Sequence, residues 1–264
     1  MNNPILIILL GPWLVIGRFL LTKVLRLFDI ILLFWDICIR LPKIRHNTNI
    51  TMKQMVQIGV TSIPLLFVTS IFTGMVAAIQ AKYQFRGFVP DKFVGTAAAK
   101  MIFIELGPVL TGLVMAGRVG SALAAEIGSM KEKEELDAMV VLDLDPLRYL
   151  AAPRMFAFMT MMPALTVFSM FLAVLGAWFV CVMGLDMTSF TFLTGIKYFF
   201  NPLDVFAGLL KAFVFGISIC LMGYYNGINA GSGAKGVGRA TMNVVVSSSV
   251  LILFFDFLIA LILF

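Results

Sequence analysis

The chain has 264 residues, of which 61% are hydrophobic and 13% charged, and its net charge is +6. Its mean hydropathy is +1.01. A soluble domain carries about a quarter charged residues, so a single globular core could not hide this much apolar surface. Several apolar stretches exceed the roughly 20 residues that cross a bilayer as a helix, and the alternating ten-residue segments of a transmembrane barrel are missing. The composition therefore predicts an all-α integral membrane protein. The basic residues are spread over membrane-flanking loops without a clustered stripe, which argues against nucleic acid as a partner.

Taken in order, MNNPILIILLGPWLVIG has no basic residue before its apolar run and no small-residue cleavage site, so a cleaved signal peptide is not expected. From Arg18 to Arg40 the polar residues Arg18, Thr22, Arg26, Asp29, Asp36 and Arg40 recur on one helical face. That pattern suits a helix lying in the membrane interface; a first spanning helix is the rival. A polar linker, Leu41 to Asn49, ends it, and His46 within it is expected to be solvated. Residues 1–49 thus form an N-terminal interfacial helix and linker, and 50–264 a five-helix transmembrane domain.

The five expected spans run about Gln57 to Gln80, Phe93 to Arg118, Met155 to Met183, Leu203 to Tyr225 and Met242 to Phe264. Alternate loops carry fourteen Lys and Arg on one side against four on the other. By the positive-inside rule the N-terminus is cytoplasmic and the C-terminus lies on the far side. The second span is rich in small residues, with Gly112, Ala116 and Gly120 at four-residue spacing, which allows close helix approach in lipid. Cys38, Cys181 and Cys220 sit in apolar stretches and are read as buried thiols; no metal-ligand spacing and no disulfide framework appears. GSGAKG, Gly231 to Gly236, matches G-x-G-x-x-G by spacing only, because no strand precedes it and no GK[ST] follows. It is expected to be a flexible loop.

Two acids lie inside spans. Glu105 is near the middle of the second, and an intramembrane carboxylate is a functional-site candidate unless it only pairs with a neighbouring helix. Asp256, in FFDFLIALILF, has no nearby base, so its partner must come from another helix. Between Gly117 and Arg154 lie seven of the fourteen acidic residues, together with five basic ones. Ile127, Met130, Leu136, Met139 and Val140 keep helical spacing among them, which predicts an amphipathic helix at the cytoplasmic surface suited to bearing on a partner. Pro146 and Pro153 punctuate the return to the membrane. With one histidine and no nucleophile–base constellation, an enzyme is disfavoured.

ELGPVLTGLVMAGRVGSALAAEIGSM, the Glu134 and Leu136-Asp137-Ala138 positions, and LDPLRYLAAPR resemble the signature of the MlaE family of ABC-transporter permeases. FTGMVAAIQ and the C-terminal GVGRATMNVVVSSSVLILFFDFLIALILF extend the resemblance over roughly residues 50 to 264. The resemblance implies a homodimeric inner-membrane permease of a diderm envelope that moves phospholipids between the two membranes and maintains outer-membrane lipid asymmetry. It implies a cytoplasmic ATPase pair, a periplasmic MCE-domain lipid-binding protein and often a small STAS-domain subunit as partners. This chain itself needs no cofactor, ATP being used by the partner. Carried over, Glu126, Glu134, Asp137 and Ala138 fall in a coupling helix of about 124–140, on which ATP-driven closure would push. Gly74, Gln80 and Glu105 fall near the lipid cavity.

Departures from the family pattern are informative. Ile104 stands where the family often has Arg, leaving Glu105 without a local ion partner, and Glu135 and Asp143 make the docking face more acidic. The partner ATPase should then present more basic residues. An autonomous secondary transporter or channel using Glu105 and Asp256 as a proton or cation relay is the alternative, and a non-transporting membrane scaffold a third reading.

Overall fold

The computed structural model describes residues 21, 24–42, 48–85, 90 and 92–264. Every regular element among them is a helix. The stretch before Leu21 and the linker positions 43–47, including His46, lie outside the described residues. Five helices are long and apolar enough to cross a membrane: Thr48–Gln84, Lys92–Glu132, Leu147–Gly184, Pro202–Ile228 and Gly233–Leu263. All five spans read from the sequence are present. Each begins earlier or ends later than expected, because the helical hydrogen-bond ladder continues past the apolar run into flanking polar turns.

Helix α1 covers residues 24–40 and is not among the five spans. One face packs on the bundle and the other is exposed, and the exposed face carries large apolar side chains beside Arg26, Asp29 and Asp36. Ile37 is fully buried and Ile30, Leu33 and Phe34 pack on the core, while Leu25, Phe28, Leu32 and Trp35 are exposed. Its end is held by Arg40, whose Nε donates to Asp145 Oδ2 at 2.6 Å. Burial alone would push the Asp145 carboxyl up. Hydrogen bonds and charge from Arg40, with the Leu147 and Arg148 N–H groups, outweigh burial and hold it below its usual value of 3.8. Arg40 is correspondingly raised, first by its hydrogen bond to Asp145.

The first span is α2 (Thr48–Ile58), a 3-10 turn (Val60–Ser62) and α3 (Ile63–Gln84), with Pro64 in the first turn of α3. Helix α3 packs along α8 (Ala152–Gly184) with almost no side chain between them. A Cβ on Gly74 would fall 1.8 Å from the Ala173 carbonyl oxygen, and one on Gly176 2.3 Å from that of Ile71. Ser70 and Ser169 share a buried 2.7 Å hydrogen bond across the same seam. In lipid, where apolar side chains gain little by leaving the solvent, such close backbone approach is what draws helices together.

The second span is built from α4 (Lys92–Met101), a π-helical segment (Ile102–Leu106), α5 (Gly107–Met115), a second π segment (Ala116–Gly120) and α6 (Ser121–Glu132). Its 41 residues make a rod of roughly 60 Å, about twice the hydrocarbon thickness and longer than one crossing needs. The expected single helix over 124–140 is therefore two elements. Residues up to Glu132 complete the spanning helix, and α7 (Glu135–Val141) follows a break at Lys133 and Glu134. The run Lys131 to Glu135 has no apolar residue to pack, and Glu134 takes a left-handed conformation (φ 58°) that stops the helix.

Helix α9 (Ser189–Tyr198), not anticipated in the loop after the third span, starts where the Thr188 side chain accepts from Thr191 N at 3.2 Å. Helix α10 (Pro202–Ile228) lies at the centre of the bundle and α11 (Gly233–Leu263) at its edge. The Gly231–Gly236 stretch is only half loop, since α11 begins at Gly233, and Lys131 donates to the Ala230 carbonyl beside it at 2.9 Å. Cys181 and Cys220 are buried and Cys38 is half-buried, and none of the three forms a disulfide.

Candidate functional site

Pro108 lacks an N–H, so the carbonyl four residues earlier, Ile104, loses its normal helical donor. The chain answers by widening: the Gly107 N–H bonds back to the Ile102 carbonyl, forming the π segment Ile102–Leu106. Such π-bulges recur at functional sites. The freed Ile104 oxygen accepts from Lys211 Nζ, which reaches it from α10 at 3.0 Å. Close approach makes this possible. Gly208, one turn before Lys211, lies so near the π segment that a Cβ there would be 2.3 Å from the Phe103 oxygen.

Lys211 is fully buried, and an unpaired ammonium in that position would be strongly destabilising. Two carboxylates compensate it. Lys211 Nζ is 3.1 Å from Glu105 Oε1 and 2.7 Å from Asp256 Oδ1. Glu105 and Asp256, left without partners by the sequence, thus meet on one lysine that joins the second, fourth and fifth spans. The Asp256 side chain is 17% exposed, but that of Glu105 is 46% exposed, so the knot opens toward the outside of the chain through Glu105.

A second charged contact lies toward the α9 side. Lys100 Nζ is 3.7 Å from Asp204 Oδ2, and Asp204 is almost wholly buried. Asp204 precedes Lys211 by seven residues, which puts both on one face of α10, about 10 Å apart. Phe103 and Phe200 pack edge to face beside it, with ring centroids 6.2 Å apart. Charges of both signs therefore alternate along this face.

The other sequence-derived candidates fall elsewhere. Gly74 lies in the α3–α8 seam, and Gln80 is exposed on the same helix; neither belongs to the charged knot. Glu126 pairs with Arg154, which is nearly fully buried, at 2.5 Å and so ties α6 to α8. Glu134, Asp137 and Ala138 are exposed at or beside α7, which has no buried residue. Val140, Val141 and Leu142 are also exposed there, at 63%, 86% and 70%, an apolar tip ringed by acids. Lys211, Lys100, Asp204 and Arg154 were passed over in the sequence. The argument that singled out Glu105, an ionisable group in an apolar helix, applies equally to Lys211 within GLLKAFVFG. Among the described residues no group of His, Cys, Asp and Glu could hold a metal ion.

A bundle of five helices long and apolar enough to cross a membrane, with a buried charge knot and an exposed helix between the second and third, defines a polytopic membrane protein. Residues 51–262 match the model of the family described as Permease MlaE, and the chain belongs to that family. A probable ABC transporter permease protein of Rickettsia prowazekii is 41% identical over 211 residues, covering 80% of this chain and 82% of that protein. A probable ABC transporter permease protein of Synechocystis is 38% identical, covering 81% of each chain. The intermembrane phospholipid transport system permease protein MlaE of Haemophilus influenzae is 34% identical over 227 residues, covering 84% of this chain and 86% of that one. The chain is accordingly a permease of the ABC-transporter type.

Proposed function

We propose that this permease moves phospholipids between the inner and outer membranes of a diderm envelope, working as a homodimer in the inner membrane. The observation that carries the reading is the Glu105–Lys211–Asp256 knot, half-open at Glu105 in an otherwise apolar bundle. A phospholipid headgroup carries phosphate and, in the zwitterionic lipids, an ammonium. A site holding both signs, with apolar helix faces alongside for the acyl chains, complements that chemistry. The relative from Haemophilus influenzae, named for intermembrane phospholipid transport, supports the same substrate class.

The Lys and Arg bias sets the α7 side in the cytoplasm and the C-terminus in the periplasm. There α7, with Asp137, Ala138 and its exposed Val140–Leu142 tip, is the bearing for a separate ATPase pair. A periplasmic MCE-domain protein would exchange lipid on the α9 side, and a STAS-domain subunit would act through the ATPase. Gly74 then serves by letting α3 and α8 move as one body, while Gln80 and Glu105 lie on the helices that flank the lipid path. The chain binds no cofactor in this reading.

A proton or cation relay through Glu105 and Asp256 would need both acids free to titrate, and Lys211 occupies both. Ion-gradient-driven flux by the purified chain without an ATPase would revive that alternative. The docking assignment is tested by Glu134→Lys with Asp137→Lys in a reconstituted complex. Lipid-stimulated ATPase activity should fall at least about tenfold, the equivalent of about 1.4 kcal/mol of lost docking, with the permease still folded. Unchanged stimulation would contradict it.

A further inference from the structure

The polar knot is not the only place where this chain could hold a lipid. At the junction of α1, α2 and α8 lies an open groove of about 420 Å³, within the range of sites that hold small ligands. Leu41 supplies the wall from the end of α1, Met52 and Met55 the wall from α2, and Phe156 the wall from α8. Among the described residues of the lining, only Thr48 and Thr51 add polar groups. Among the described residues of that lining no side chain is charged, which suits an apolar occupant.

Its surroundings say which apolar occupant. The two helices beside the groove carry exposed apolar side chains, Leu32, Trp35 and Ile39 on α1 and Met52 and Val56 on α2. In a chain with five helices long and apolar enough to cross a membrane, exposed apolar surface of this kind is matched by the acyl chains of a bilayer. The groove is also held open. On one side Arg40 fastens the end of α1 to Asp145; on the other α2 is packed along α8, with Ile58 buried in the core. Neither wall can close over the space without breaking one of those contacts. A fixed apolar slot facing the bilayer retains one chain longer than a flat helix face does, because more of the chain's surface is covered.

We infer that the groove is a resident-lipid site, taking one acyl chain of a bilayer phospholipid and wedging α1 against the bundle. It is separate from the transport path at Lys211 and does not depend on the proposed direction or substrate of transport. Two of its three walls come from the end of α1 and from α2, so an occupied groove also fixes the angle between α1 and the first span.

Photo-crosslinking with a phosphatidylcholine bearing a diazirine in its acyl chain, in nanodiscs of the full-length chain, tests this. Labelling of the peptides containing Met52, Met55 and Phe156 should exceed that of the exposed α11 face around Val250 and Phe254 several-fold. The groove-filling double variant Met52→Trp/Met55→Trp should reduce that labelling to the α11 level. Native mass spectrometry of the same protein should show the variant losing one tightly retained phospholipid per chain. A Glu105→Gln/Lys211→Met/Asp256→Asn variant should keep it, which separates this site from the transport path. As a second probe tolerant of the fold, Met52→Cys carrying an acyl-sized adduct should also displace the retained lipid. Uniform labelling over all lipid-facing helices, or crosslinks from the groove to the chain's own residues 1–20 in place of lipid, would overturn the inference.

Discussion

Between α3 and α8 the helices are held by backbone against backbone; around α10 they are held by charge. The first seam uses Gly74, Gly176 and one serine pair. The second places one lysine between two carboxylates inside three spans. Both join helices where water is scarce, and the first shows that this bundle can do so without a single ionised group. A buried ion pair is seldom worth more than well-packed apolar residues of similar volume. The knot at Lys211 is therefore poorly explained as glue, and with Glu105 half-exposed this is the ground on which the proposed transport role rests.

The comparison can be broken most severely at its centre. Lys211→Met alone leaves Glu105 and Asp256 facing each other without a cation and frees the Ile104 carbonyl. It should destabilise the folded chain by about 3–5 kcal/mol, read as a large loss of thermal stability in nanodiscs. Overpacking the neutral seam should cost less. Gly74→Val pushes side-chain atoms into the Ala173 carbonyl and forces α3 from α8, at about 1–3 kcal/mol. If that variant were as stable as wild type, the backbone contact would not be what holds the seam.

A smaller effect tests the α1 attachment, which lies outside both seams. The Asp145 carboxyl is held below 3.8 by Arg40 and two backbone N–H groups after burial has opposed them. A carboxylate whose folded value is lowered stabilises fully above its unfolded value, and loses that contribution as pH falls through the folded value. Wild type should therefore exceed Asp145→Asn by under about 1 kcal/mol at neutral pH, the pair being partly exposed. The gap should close below pH 3.8. A gap that widened in acid would reverse the assignment.

Much of the scaffold was legible from composition, because helices are the only backbone form that satisfies its own hydrogen bonds locally in lipid. The five spans and the exposed charged segment follow from length, apolar runs and charge density. What the sequence did not disclose is how elements meet. Glu105 and Asp256 could be flagged individually, but 151 positions of chain separate them, and nothing local says that both face Lys211. The missing Arg at Ile104 suggested an unpaired acid, whereas the partner comes from α10 through a backbone kink that Pro108 imposes. The α6–α7 break was hidden for a different reason. Apolar spacing continued across it, while the left-handed turn at Glu134 answers to local charge density and has no periodic signature.

The central claim, that the charged knot serves transport and not folding, is tested most directly by neutralising all three residues together. Glu105→Gln/Lys211→Met/Asp256→Asn removes every buried charge of the knot at nearly constant volume. The variant should fold with stability within about 1 kcal/mol of wild type. In proteoliposomes with its ATPase and lipid-binding partners, phospholipid transfer should fall to background. Transfer at the wild-type rate by a stably folded triple variant would contradict the account.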